Sequence, residues 1–177
     1  KMVPATRPQQ TRKDTEKILA KYKIKDKFGL VGIRGYYKKT MGDPTKNDIN
    51  IYDDAILLLT PTLYLSFNGN CDPSITRPGI ATLKPGVYQY QLGIHNKSKE
   101  KSRQYEALVQ ASTVTVWRNG RAEDTGYFGI NIHRGSRTTT SSLGCQTIWP
   151  PQWDEFIKTV KAEMTKHDKK TIPYILA

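Results

Sequence analysis

Two residues of this chain have the types and the spacing for nucleophilic chemistry. His133 closes the apolar run Gly129-Ile130-Asn131-Ile132, and Cys145 follows twelve positions later within Ser141-Ser142-Leu143-Gly144-Cys145-Gln146-Thr147-Ile148. A cysteine attacks as its thiolate, which needs a nearby base or a positive field. Imidazole is the side chain whose ordinary pKa suits that task. The small residues before Cys145 allow a tight turn, so the amides of Gly144 and Cys145 can face a developing oxyanion. Each residue also has a plainer role open to it. A buried cysteine is a small apolar core residue, and a histidine at a strand end is often structural. Ser142 either touches substrate or braces the turn, and bracing is the expectation.

The elements that must position this pair read mainly as strands. Thr11 to Tyr22 predicts a short helix, with Thr11 as cap and Ile18, Leu19 and Tyr22 on one face. Strands are predicted over 29–37, 52–59, 62–67, 80–83, 87–94, 105–110, 113–118 and 127–133, from β-branched and aromatic content and alternation. Lys84-Pro85-Gly86 and Asn119-Gly120 are turn signals between them. A Ser/Thr/Gly-rich loop covers 134–144. The one long helix begins after Pro150-Pro151, and Trp153, Phe156, Ile157, Val160 and Met164 give it an apolar face. Residues 171–176 predict a final edge strand, because Pro173 fits an edge. The expected architecture is mainly β (α+β): a sandwich or barrel-like sheet with one long packed helix and a short N-terminal one. Residues 1–10 are expected to be a flexible arm, and 11–177 a single catalytic domain.

The 177 residues suit one domain. No apolar run approaches the roughly 20 residues of a membrane-spanning helix, and Lys1 to Gln10 does not read as an uncleaved signal peptide. Lys plus Arg number 28 against 16 Asp plus Glu, a net charge of +12. That excess favours a polyanionic partner, such as nucleic acid or an anionic envelope polymer. The two cysteines, Cys71 and Cys145, have no CxxC spacing, which excludes a disulfide scaffold or zinc ribbon. No spacing supports a zinc site from Cys71, Cys145, His95 and His133. Cys71 reads as a free structural thiol, and His95 and His167 as solvent-facing. The acids Asp43, Asp48, Asp53 and Asp54, with Asn47, do not match an EF-hand loop. Pairing of Asp53 and Asp54 with Arg34 is expected instead, and neither metal nor cofactor is called.

The His133 and Cys145 segments resemble the catalytic domain of L,D-transpeptidases. In that family a His-Gly-type strand end and a loop lead to Ser-x-Gly-Cys. Here His133 with Gly135 matches the first part and Ser142-Leu143-Gly144-Cys145 the second. Leu83-Lys84-Pro85-Gly86-Val87-Tyr88 resembles the family's upstream Thr-Pro-x-Gly-x-Phe turn. The chain departs from the family at Leu143, where His is frequent, and at Thr147, where Arg is usual. It therefore resembles the divergent branch that includes antibacterial effectors and phage-type lytic proteins. The resemblance implies attack by Cys145 on a peptidoglycan stem peptide, a thioester acyl-enzyme, and His133 as base oriented by a backbone carbonyl of Arg134, Gly135 or Ser136. Arg134 or Arg137 would supply the substrate-carboxylate charge that the usual Arg provides. The implied partners are stem peptides and anionic envelope polymers, in the periplasm or cell wall, without specific nucleic-acid binding. The alternative is a non-catalytic basic β domain that binds the envelope or nucleic acid.

Overall fold

The computed structural model describes residues 1–177. Alternating burial along the strands organises it. In β2 (Asp54–Leu59), Ile56 and Leu58 face one core, while Ala55, Leu57 and Leu59 face another. The period of two recurs in β1 (Gly29–Ile33), where Leu30 and Val31 point opposite ways. It recurs again in β11 (Ile172–Leu176), where Tyr174 and Ile175 do the same. A strand buried on both faces must be covered on both. The smaller core is closed by α1 (Arg12–Lys21) through Leu19. The larger core receives Trp153, Phe156, Ile157, Val160 and Met164 from α2 (Trp153–Lys166). Each fully buried aliphatic or aromatic side chain contributes about 1.5–3 kcal/mol to this packing.

Eight strands close a barrel in the order β1, β11, β5 (Gly86–His95), β6 (Tyr105–Gln110), β9 (Ile132–Arg134), β10 (Gln146–Ile148), β3 (Tyr64–Asn70), β2. A three-stranded sheet of β4 (Ala81–Leu83), β7 (Val114–Arg118) and β8 (Asp124–Gly126) adds Leu83, Val114 and Val116 to the larger core. The barrel with one long packed helix agrees with the mainly β expectation. The Pro-Gly turn joins β4 to β5, and Asn119-Gly120 joins β7 to β8 with Gly120 at φ 74°. Thr11 caps α1 as its side chain predicts, accepting from the Asp14 N–H at 3.1 Å.

Three expectations need correction. β11 is not an edge: it lies between β1, parallel, and β5, antiparallel. Pro173 is tolerated because the β1 ladder starts one residue later, at Leu30 opposite Tyr174. The predicted strand over 127–133 shrinks to β9, because Gly129 turns the chain at φ 68°. The Gln110 side chain stands in for a ladder there, with Oε1 accepting from the Phe128 and Ile130 N–H groups. The N-terminal arm is irregular but docked. Tyr64, Ser66 and Asn68 share one face of β3, and their side chains donate to the carbonyls of Gln10, Pro8 and Thr6. Arg7 adds an ion pair to Glu155 at 2.6 Å.

Candidate active site

β9 and β10 are parallel, with Ile132 opposite Gln146 and His133 opposite Thr147. Parallel neighbours cannot be joined by a tight hairpin, so the chain between them must return along the strand. Residues 135–145 make that return without a helix. Register then sets the chemistry. Cys145 precedes Gln146 and so falls level with Asn131, two residues before His133 on the neighbouring strand. Positions two apart share a face. His133 and Cys145 line the same cleft, about 920 Å³ in volume.

The return loop is held from outside. Tyr52 donates its hydroxyl to the carbonyls of Ser136, at 2.6 Å, and Thr139, at 3.1 Å. A Cβ on Gly135 would collide with that hydroxyl, which explains glycine there. Asn50 Oδ1 accepts from the Thr140 N–H at 2.9 Å. Ser74 exchanges two bonds with Ser142, one from its own N–H and one to its Oγ, each 2.8 Å. Gly144 has φ 140°, and a Cβ there would lie 2.9 Å from Ile130 Cδ1 and 3.1 Å from the Ala81 carbonyl. Both backbone and space therefore require glycine immediately before the thiol.

Ser142 builds this turn. Its Oγ accepts from the Gly144 N–H at 3.0 Å and donates to the Cys145 carbonyl at 2.7 Å. Those bonds and its burial engage the hydroxyl inside the loop, which is the turn bracing expected of it, while the residue also lines the cleft. The Gly144 amide is likewise committed to Ser142 rather than turned toward an oxyanion. The Cys145 N–H has no intramolecular acceptor.

His133 is buried, with its Nδ1 2.8 Å from the Arg134 carbonyl. A carbonyl only accepts, so Nδ1 carries the proton and Nε2 keeps its lone pair. Burial, then the neighbouring His95, depress the imidazole pKa to about 3. Cys145 Sγ donates to the Gly129 carbonyl at 3.2 Å and accepts from the Asn131 N–H at 3.3 Å, and it has no hydrogen bond to His133. Burial pushes this thiol up to about 11. The resting pair is therefore neutral thiol and neutral imidazole. Chemistry from this state would move the thiol proton during attack rather than start from a standing thiolate.

The cleft contains groups that the sequence did not reveal. His95, read as solvent-facing, is half-buried and stacks on His133 with ring centroids 4.0 Å apart and planes at 17°. Its Nδ1 lies 3.2 Å from Asn131 Nδ2, which fixes it as an acceptor. The two rings come together because β5 and β9 both flank β6, a juxtaposition without a local sequence signal. Tyr105 of β6 closes the cluster against both imidazoles. Arg134 lines the cleft with its guanidinium over the Tyr105 ring at 4.7 Å. Arg137 does not line it, and sits instead over Trp149 at 5.9 Å. Arg103, not singled out from sequence, takes its place on the wall. No acidic residue lines the cleft, while Ile75 and Leu143 give it an exposed apolar rim. The arrangement suits an anionic substrate with an apolar part.

Cys71 is sealed in the core as a free thiol, in agreement with its structural reading. Trp153 packs in the core, whereas Trp149 is half-buried edge-on to Tyr52. The four groups weighed for zinc do not assemble, because Cys71 is absent from the cleft that holds the other three. No helix is long and apolar enough to cross a membrane. Comparison of the chain with protein-family models, with curated proteins and with solved structures finds no match.

Proposed function

We propose that this protein is a cysteine acyl-transfer enzyme acting on the stem peptides of peptidoglycan, in the manner of the L,D-transpeptidases that its His133 and Cys145 segments resemble. The observation that carries the reading is the contact of His133 Nδ1 with the Arg134 carbonyl. An imidazole whose Nδ1–H is bound to a carbonyl offers Nε2 as a base, in the same cleft and on the same sheet face as a thiol.

Cys145 Sγ attacks the carbonyl of the third stem residue while its proton passes to His133 Nε2. The C–S bond forms and the carbonyl electron pair becomes an oxyanion, for which the Cys145 N–H is the available donor. Collapse breaks the C–N bond, and His133 returns the proton to the leaving amine of the D-residue. The thioester is then taken by water, giving hydrolysis, or by a second amine, giving transpeptidation. His133 accepts the proton of that second nucleophile and delivers it to the thiolate. Arg134 and Arg103 supply the positive wall for a stem carboxylate. The net charge of +12 supports association with anionic envelope polymers, and the periplasm or cell wall is the proposed place of action.

The competing reading is a basic binding domain without catalysis, favoured by the absence of a direct His133–Cys145 bond. Mass spectrometry of purified muropeptides after incubation separates the two. The wild type is expected to remove or exchange the residue after the third stem position. Cys145→Ala is expected to leave the muropeptides unchanged while remaining folded. Unaltered muropeptides with the wild type would favour the binding domain.

A further inference from the structure

Behind the cleft, on the side of β2 and β3, lie three carboxylates that the chemistry above does not use. Asp53, Asp54 and Asp72 are 1%, 0% and 4% exposed, and one oxygen from each lies within 4.8 Å of the others. The pairing expected from sequence does not form. Arg34 Nε meets Asp72 Oδ1 at 2.9 Å, and its Nη2 is spent on the carbonyls of Cys71 and Leu83. Asp54 is held by the N–H groups of Gly35 and Cys71, one to each oxygen, at 2.6 Å. Asp72 Oδ2 accepts from Asn47 Nδ2 at 2.8 Å. Asp53 is different: both of its carboxylate oxygens are buried and neither has a hydrogen-bond partner. An unpartnered carboxylate inside a protein is costly unless a cation or a proton meets it.

We propose that Asp53, Asp54 and Asp72 bind one hard divalent cation, calcium before magnesium. The donor atoms are all oxygen, which selects a hard ion over zinc. Burial decides between the two: magnesium gives up its waters reluctantly and usually keeps several, whereas calcium accepts an enclosed set of protein oxygens. Charge agrees when all three are ionised: three carboxylates against the single guanidinium of Arg34 leave two negative charges for the ion to balance. Asp53 offers both oxygens, and the held oxygens of Asp54 and Asp72 each keep a second lone pair.

The consequence is stiffening of the cleft wall. Asp53 and Asp54 continue the segment whose Asn50 and Tyr52 hold the return loop, and Asp72 leads within two residues to Ser74, which grips Ser142. The ion would tie these two supports together from behind. This holds whether or not the cleft is catalytic.

The test uses the intact chain stripped with a chelator and dialysed. Millimolar calcium is expected to raise the unfolding midpoint by about 5–10 °C at saturation, with one ion per chain by isothermal titration calorimetry. Magnesium is expected to do so only at higher concentration. Asp53→Asn, which keeps the shape and removes the charge, is expected to abolish the calcium response and to be more stable than the ion-free wild type. A second measurement needs no variant: terbium emission sensitised through the neighbouring Tyr52 should appear and be displaced by calcium. Absence of both the midpoint shift and displaceable emission in the wild type would overturn the proposal. An equal calcium response in wild type and folded Asp53→Asn would also overturn it, since binding would then lie elsewhere.

Discussion

The two cysteines of this barrel are both free and both have thiols pushed up by burial, yet their surroundings differ in kind. Cys71 follows β3 directly, fully enclosed, with its sulfur 3.6 Å from the Tyr174 hydroxyl and Asp54 opposing any thiolate. Cys145 immediately precedes β10, on the wall of an open cleft with two imidazoles, two guanidiniums and no carboxylate. Burial alone would call both inert. What separates them is access to a second reactant and a base able to take the proton, and both follow from the β9–β10 register.

The largest expected contrast is in thiol reactivity. Iodoacetamide at neutral pH should label Cys145 at least about 100-fold faster than Cys71, because the enclosed thiol reacts only after the core opens. Peptide mapping of the labelled protein measures this. Equal rates would erase the distinction between the two regions. Next comes His133→Asn, which keeps a donor for the Arg134 carbonyl but has no basic nitrogen. Turnover of stem peptide should fall about 10²–10⁴-fold, with little change in the labelling of Cys71. Arg134→Gln is expected to raise KM about tenfold with kcat nearly unchanged, since it removes one charged contact to a substrate carboxylate. A larger effect on kcat than on KM would move Arg134 from binding to chemistry.

A further contrast is in stability against pH. His133 is held neutral in the folded state, at about 3 against its ordinary 6.5. Its contribution is complete above 6.5 and is lost as pH falls toward 3, by about 1.4 kcal/mol per unit. Cys145 works in the opposite direction: its contribution is complete below 9 and is lost as pH rises toward 11. Denaturant unfolding of wild type against His133→Asn should therefore converge on the acid side. Wild type and Cys145→Ala should converge on the alkaline side. Differences that stay constant with pH would mean that neither group is held neutral by the fold.

Much of the barrel was legible because alternation is a local signal. β2, β3, β5 and α2 follow from the period of their apolar residues, and the turns at Pro85-Gly86 and Asn119-Gly120 from backbone preference. His133 and Cys145 were legible by type and spacing. His95 was not, because its meeting with His133 requires β6 to lie between two strands far apart in the chain. The central place of β11 was hidden by Pro173, whose edge preference is satisfied by a ladder that starts one residue later. The docking of residues 1–10 was hidden because its signal is on the partner: Tyr64, Ser66 and Asn68 give one face of β3 a polar row that waits for carbonyls. Arg34 took Asp72 rather than Asp53 or Asp54, a choice made by the folding of β3 back along β2.

The central claim is that Cys145 becomes acylated. The most direct measurement is the intact mass of the protein, quenched in acid seconds after mixing with a soluble stem tetrapeptide. The expected result is a wild-type adduct equal to the tetrapeptide less its terminal D-residue, mapped to Cys145, released by hydroxylamine and absent from Cys145→Ala. Cleavage of the tetrapeptide at equal rates by wild type and Cys145→Ala, with no adduct on either, would contradict it.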